Sequence, residues 1–201
     1  VSDPVVAPYG AWRSPLDAAA AARGATRFPG VGATIDPAGG VVAWWAETRP
    51  DEGGRIVVVR AAPGAPPEDV GPDTLRIRSR VNEYGGGALS VDDRRLLVVE
   101  ESSQRVLSVG LGVDGAPERP WSTRWVTPAP PGPRAWRHAL GRGEVAGGWV
   151  VLERERHLDD DLEPVPEPVN ELLAVRPDGA GQRVLVGPHD PGGGDFVAAP
   201  S

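Results

Sequence analysis

The chain has 201 residues, 40% of them hydrophobic, which is enough for one large domain or two small ones around a sizeable core. A formal net charge of −7 offers no concentrated basic surface to a phosphate backbone, so nucleic acid is excluded as an expected partner. Without cysteine, disulfides and thiolate chemistry are excluded, and without a long apolar run or a basic leader the expectation is a cytoplasmic protein with no membrane partner.

Residues 1–27 differ from the rest. Ala7 to Trp12 reads as an extended arm carrying two aromatics. Ser14, Pro15 and Asp17 then precede five alanines, Ala18 to Ala22, with Gly24 beyond. A capping Ser, a Pro in the first turn, an early acid and a terminating Gly predict one short N-terminal helix over Pro15 to Ala22.

The chain holds 27 Gly and 23 Pro, and from residue 28 onward these fall between apolar runs, which predicts many short strands. Glu47, Glu100 and Glu153 close three of these runs, from position 47 to 100 to 153, an interval of 53 residues each time. Each run is followed by a second: Ile56 to Val59, Val106 to Val109 and Leu172 to Val175. A unit of this length holding several strands reads as a β-propeller blade, because one small sheet cannot bury both faces and must stack on neighbours. The predicted fold is all-β, a partial propeller of about three four-stranded antiparallel blades over residues 28–72, 73–133 and 134–188, with the start of a fourth at 195–201. Central strands such as Val41 to Glu47 are continuously apolar, which predicts burial on both faces and makes Trp44 and Trp45 core residues. Glu118 to Ser122 is the expected last strand of the second blade. Between Glu155 and Pro168 the spacing opens into an acidic, Pro-rich insertion, expected to be a solvated hairpin loop; a calcium loop would need alternating oxygen ligands around a Gly turn.

The chain offers little catalytic chemistry. His138, His157 and His189 are isolated, form no metal-ligand pattern and are expected in loops or at the surface; neither metal nor cofactor is expected. No G-x-S-x-G elbow frames any of the nine Ser residues, so no catalytic residue is assigned. The most informative motif is Arg80-Val81-Asn82-Glu83-Tyr84-Gly85-Gly86-Gly87. Arg80, Glu83 and Tyr84 are candidate substrate-binding residues, since an Arg and a Glu at a propeller mouth can hold the carboxylate or ammonium of a short peptide and fix its register. The alternative is structural: Arg80 pairs with Glu83, Tyr84 packs under a neighbouring blade, and the glycines permit a close backbone crossing.

Four stretches together, Ala7 to Pro15, Arg80 to Gly87, Glu167 to Leu172, and His189-Asp190 with Phe196 to Pro200, resemble the N-terminal propeller of the prolyl oligopeptidase family of serine peptidases. The resemblance is to its bacterial aminopeptidase and acylaminoacyl-peptidase branch, the puromycin hydrolase-like enzymes. The family's compact His-Asp-Phe run is split here by Pro191 to Gly194. In that family a propeller of about seven blades caps an α/β-hydrolase domain that carries Ser, Asp and His, and admits peptides while excluding folded proteins. The resemblance therefore implies a gating and substrate-selecting module, inert alone, whose partners are an α/β-hydrolase catalytic domain and short peptides or acyl-peptides. The alternative is a stand-alone binding or scaffold propeller. Three blades and one strand do not close a ring, so the expectation is a truncated product or fragment of such a peptidase, prone to self-association through its uncovered blade faces.

Overall fold

The computed structural model describes residues 6–11, 15–22, 24–145, 147–159 and 161–187. Among these residues twelve strands form three four-stranded antiparallel sheets, each a meander in chain order. The first holds β1 (Gly30–Ile35), β2 (Val41–Arg49), β3 (Arg55–Ala61) and β4 (Glu68–Val70). The second holds β5 (Leu89–Val91), β6 (Arg95–Val99), β7 (Val106–Gly110) and β8 (Thr123–Trp125). The third holds β9 (Trp136–Val145), β10 (Trp149–Leu158), β11 (Pro164–Val175) and β12 (Gln182–Val186). The leading strands of successive sheets, β1, β5 and β9, touch one another, so the sheets stack face to face in the manner of propeller blades.

The stack is held by two apolar layers. Leu96 and Val98 of β6 face Val42, Trp44, Ala46 and Val58 of the first sheet. Leu97 and Val99, one residue out of phase, face Leu140, Val150, Leu152 and Leu173 of the third. Period-two alternation thus sends neighbouring β6 side chains into two different layers, which is why this run is apolar without a break. Each Val and Leu side chain in these layers contributes roughly 1.5–3 kcal/mol by leaving water.

The expectation of burial on both faces fails for β2. Val42, Trp44 and Ala46 are buried, whereas Val41 and Ala43 are exposed and Trp45 is half-buried, its Nε1 donating to Glu47 Oε2 at 3.0 Å. The other face of the first sheet has no neighbour among the described residues, so Trp44 is core and Trp45 is not. Helix content is also lower than expected. Among the described residues α-helical geometry is confined to the five residues Ala18–Ala22, so the short N-terminal helix expected over Pro15 to Ala22 is not supported. So short a segment carries the nucleation cost with little packing to offset it. Ser14, the expected cap, lies outside the described residues, as do Trp12, His189 and the expected fourth blade at 195–201.

Two loop assignments change as well. The insertion after Glu155 is mostly strand: β10 and β11 pair on to Leu158 opposite Pro164, with a register shift between Arg156 and Leu158. The last strand of the second sheet is Thr123–Trp125, not Glu118 to Ser122; Pro120 lacks the N–H that a ladder needs, whereas Trp125 pairs with Leu107 and stacks on Arg105. The 53-residue recurrence falls on or just past the second strand of each sheet, but in unlike positions. Glu47 faces Val57 inside β2, Glu100 sits one residue beyond β6 and bridges Ile77, and Glu153 lies within the lengthened β10 between Ala139 and Leu172.

Candidate functional site

The segment from Ser79 to Gly87, connecting the first sheet to the second, runs along the free edge of β9. Ser79 Oγ donates to the His138 carbonyl at 2.8 Å, and the Leu140 N–H donates to the Gly87 carbonyl at 2.7 Å. This approach requires the glycines: a Cβ on Gly86 would come within 2.6 Å of Ala139 Cβ, and one on Gly87 would run into the Leu140 carbonyl. Between these anchors the chain bulges out as a tight turn. Asn82 and Glu83 have φ of 53° and 61°, Gly85 has 89°, and the Gly85 N–H closes on the Val81 carbonyl at 2.9 Å. Two adjacent non-glycine residues in the left-handed region cost of order 1–3 kcal/mol each, so neighbouring groups must hold them there.

Those groups come from β9 and β10. Glu155 is 1% exposed and accepts from the Asn82 N–H, from His157 and, at 3.0 Å, from Arg137 Nη1. Arg137 Nη1 also reaches the Arg80 carbonyl at 3.0 Å and Glu83 Oε1 at 2.6 Å. From the other side Gln104 receives the Arg80 N–H at 2.8 Å and donates to the Arg78 and Glu101 carbonyls. Glu153, 2% exposed, is the neighbour of this network, with Asn82 Nδ2 at 3.5 Å from its Oε1. Burial and the adjacent Glu155 charge push its carboxyl up to about 7, against which the Asn82 contact works only weakly. Hydrogen bonding and charge from Arg137 hold the Glu83 carboxyl below its ordinary value.

The turn separates two clefts. Arg78, Ser79, Tyr84, Gly85 and Gly86 border the larger, about 830 Å³, which continues along β1 and the chain before it. Arg80 and Glu83 border the smaller, about 480 Å³, together with the β6–β7 hairpin, Arg134 and Arg137. The structure therefore brings Arg80 and Glu83 to the wall of one cleft and Tyr84 to the other. The structural alternative fails in its details. Arg80 pairs with Glu101 at 3.1 Å and Glu83 with Arg137, not with each other, and Tyr84 is 97% exposed instead of packed under a blade. The close crossing of the glycines does occur, so the motif serves the fold and presents side chains to solvent together.

Reading the sequence missed Arg137, Glu155, Glu153 and Gln104. Two histidines expected in loops or at the surface lie on strands. His138 is buried in β9, its Nδ1 donating to the Gln104 carbonyl at 2.7 Å, and burial lowers its pKa to about 4. His157 sits half-buried on β10 against Glu155. The overlooked signal is Glu153-Arg154-Glu155-Arg156-His157, an alternation that sends acids and His157 to one face and Arg154 and Arg156 to the other, where both meet Glu171.

No protein-family model matches the sequence, and no curated protein does. Solved structures do. A puromycin-hydrolyzing peptidase of Mycobacterium tuberculosis is 27% identical over 92% of this chain, with a TM-score of 0.69. A puromycin hydrolase is 28% identical over 90% of the chain at 0.69, and a puromycin hydrolase variant complexed with PGG is 29% identical over 89% at 0.67. The chain spans only 27–28% of the length of those proteins. Over about nine tenths of its length it thus resembles, in sequence and in fold, one part of the puromycin-hydrolyzing peptidases, the branch of the prolyl oligopeptidase family to which its motifs point.

Proposed function

We propose that this chain is the substrate-selecting propeller portion of a serine peptidase of the prolyl oligopeptidase family, of aminopeptidase or acylaminoacyl-peptidase type. Catalysis is then supplied by an α/β-hydrolase domain, and the sheets filter and orient short peptides by the turn at Arg80 to Gly87. The observation that carries this reading is the match of both sequence and fold to puromycin-hydrolyzing peptidases over about nine tenths of the chain. Two clefts flanking an exposed turn, with charged groups in one and Tyr84 at the other, suit recognition of a peptide at points remote from the scissile bond.

The test is to isolate from the source cells the polypeptide that carries these residues and to treat it with a serine-directed fluorophosphonate probe. The expected result is a polypeptide much longer than 21.1 kDa that is labelled stoichiometrically and hydrolyses aminoacyl or acyl-peptide p-nitroanilides. A polypeptide of that mass alone, unlabelled and without a labelled companion, would leave only the binding-module alternative.

A further inference from the structure

The smaller cleft has an imbalance that decides which end of a peptide it takes. Its wall carries Arg76, Arg80, Arg134 and Arg137 against Glu83, Glu100 and Glu101. Every one of the three carboxylates is committed. Glu83 binds Arg137, Glu101 binds Arg80, and Glu100 is satisfied by the N–H and hydroxyl groups of Ser102 and Ser103. Burial pushes Glu100 up, but those hydrogen bonds outweigh it and keep the group below its ordinary value and ionised. The arginines are not all committed: Arg76 and Arg134 have no ion-pair partner among the described residues. Arg134 is also placed by an unfavourable backbone, with φ of 61° in a turn closed by the Ala135 N–H on the Gly132 carbonyl at 3.2 Å.

We infer that this cleft is a carboxylate subsite in which Arg76 and Arg134 receive the α-carboxylate of a short peptide, an inference that rests on the peptide-selecting role proposed above. A free ammonium finds no unoccupied carboxylate here, so the cleft reads the carboxyl end of its ligand. Guanidinium forks bind carboxylate through two parallel hydrogen bonds, and a second cationic group beside the first fixes the carboxylate plane.

The experiment uses the 201-residue chain and titration calorimetry with N-acetyl-trialanine as the free acid and as the C-terminal amide, so that no amine competes. The acid is expected to bind roughly tenfold more tightly than the amide. In the double variant Arg76→Gln/Arg134→Gln, both side chains being exposed and outside the Ser79 to Gly87 segment, that preference disappears. Arg124→Gln, on the edge strand β8 away from the cleft, keeps it. Equal affinity for acid and amide, no binding of either, or an acid preference that survives the double variant would overturn the inference. Inorganic phosphate bound more tightly than the peptide acid would overturn it as well. Fluorophosphonate labelling of the parent polypeptide reports on the peptidase reading separately, so the two can fail independently.

Discussion

Replacing Glu153 by Gln removes a charge that the fold accommodates poorly. Glu153 is nearly enclosed, lies beside Glu155 on the same strand face, and has its carboxyl raised from 4.5 to about 7. A carboxyl whose folded value exceeds its unfolded one binds more protons when folded, so its contribution to stability is lost as pH rises from about 4.5 to about 7. That gap corresponds to roughly 3 kcal/mol. His138 works in the opposite direction: its value falls from 6.5 to about 4, so stability is lost as pH drops through that window. The two slopes oppose each other between about 4.5 and 6.5, and the wild-type profile is expected to be flat there. Glu153→Gln keeps the shape and the Asn82 contact while abolishing the first slope. Thermal melts followed by far-UV circular dichroism from pH 4 to 8 should show the variant's stability rising up to about pH 6.5 and holding above it. At pH 7.5 the variant should melt roughly 6–12 °C above the wild type, at about 2–4 °C per kcal/mol for a chain of this size. Identical pH profiles, or a variant less stable than the wild type at pH 7.5, would refute the reasoning.

Other substitutions probe the same network and the stack. Glu155→Ala leaves Arg137 without its buried partner and releases the Asn82 N–H, which should cost about 3–5 kcal/mol in denaturant unfolding; a loss below 1 kcal/mol would show that Glu155 does not hold the turn. Gly87→Ala drives a Cβ into the Leu140 carbonyl and should prevent accumulation of folded protein, whereas Gly39→Ala, with open space around it, should cost only the strain of its positive φ. Val31, Ile35 and Val41 are 79%, 59% and 62% exposed on the uncovered face of the first sheet. Val31→Asp combined with Ile35→Lys should therefore shift size-exclusion profiles of the 201-residue chain from associated species to monomer. A wild-type chain that already elutes as a monomer without binding a hydrophobic dye would contradict this.

The stacking of three antiparallel sheets was legible from the sequence because it rests on a period: apolar runs, each followed by another, recurring from Glu47 to Glu100 to Glu153. Exposure was not legible. Val41 and Leu96 sit in equally apolar runs, and only the presence or absence of a further sheet separates them. The lengthened β10–β11 hairpin was hidden because strand propensity is weak beside acidic and Pro-rich composition, and pairing across the hairpin overrides it. At the site, Arg80, Glu83 and Tyr84 stood out through an unusual local run of residues. Their partners Gln104, Arg137 and Glu155 did not, since contacts between residues 80 and 155 arise from the stacking of sheets and leave no trace in local sequence.

That the turn at Arg80 to Gly87 contacts substrate is tested most directly at Tyr84, whose side chain is 97% exposed and makes no hydrogen bond or ion pair among the described residues. In the parent polypeptide, Tyr84→Ala is expected to raise KM for short peptide p-nitroanilides roughly tenfold with kcat unchanged, the mark of a binding contact remote from the reacting carbonyl. Unchanged KM and kcat, or a loss of kcat at constant KM, would contradict it.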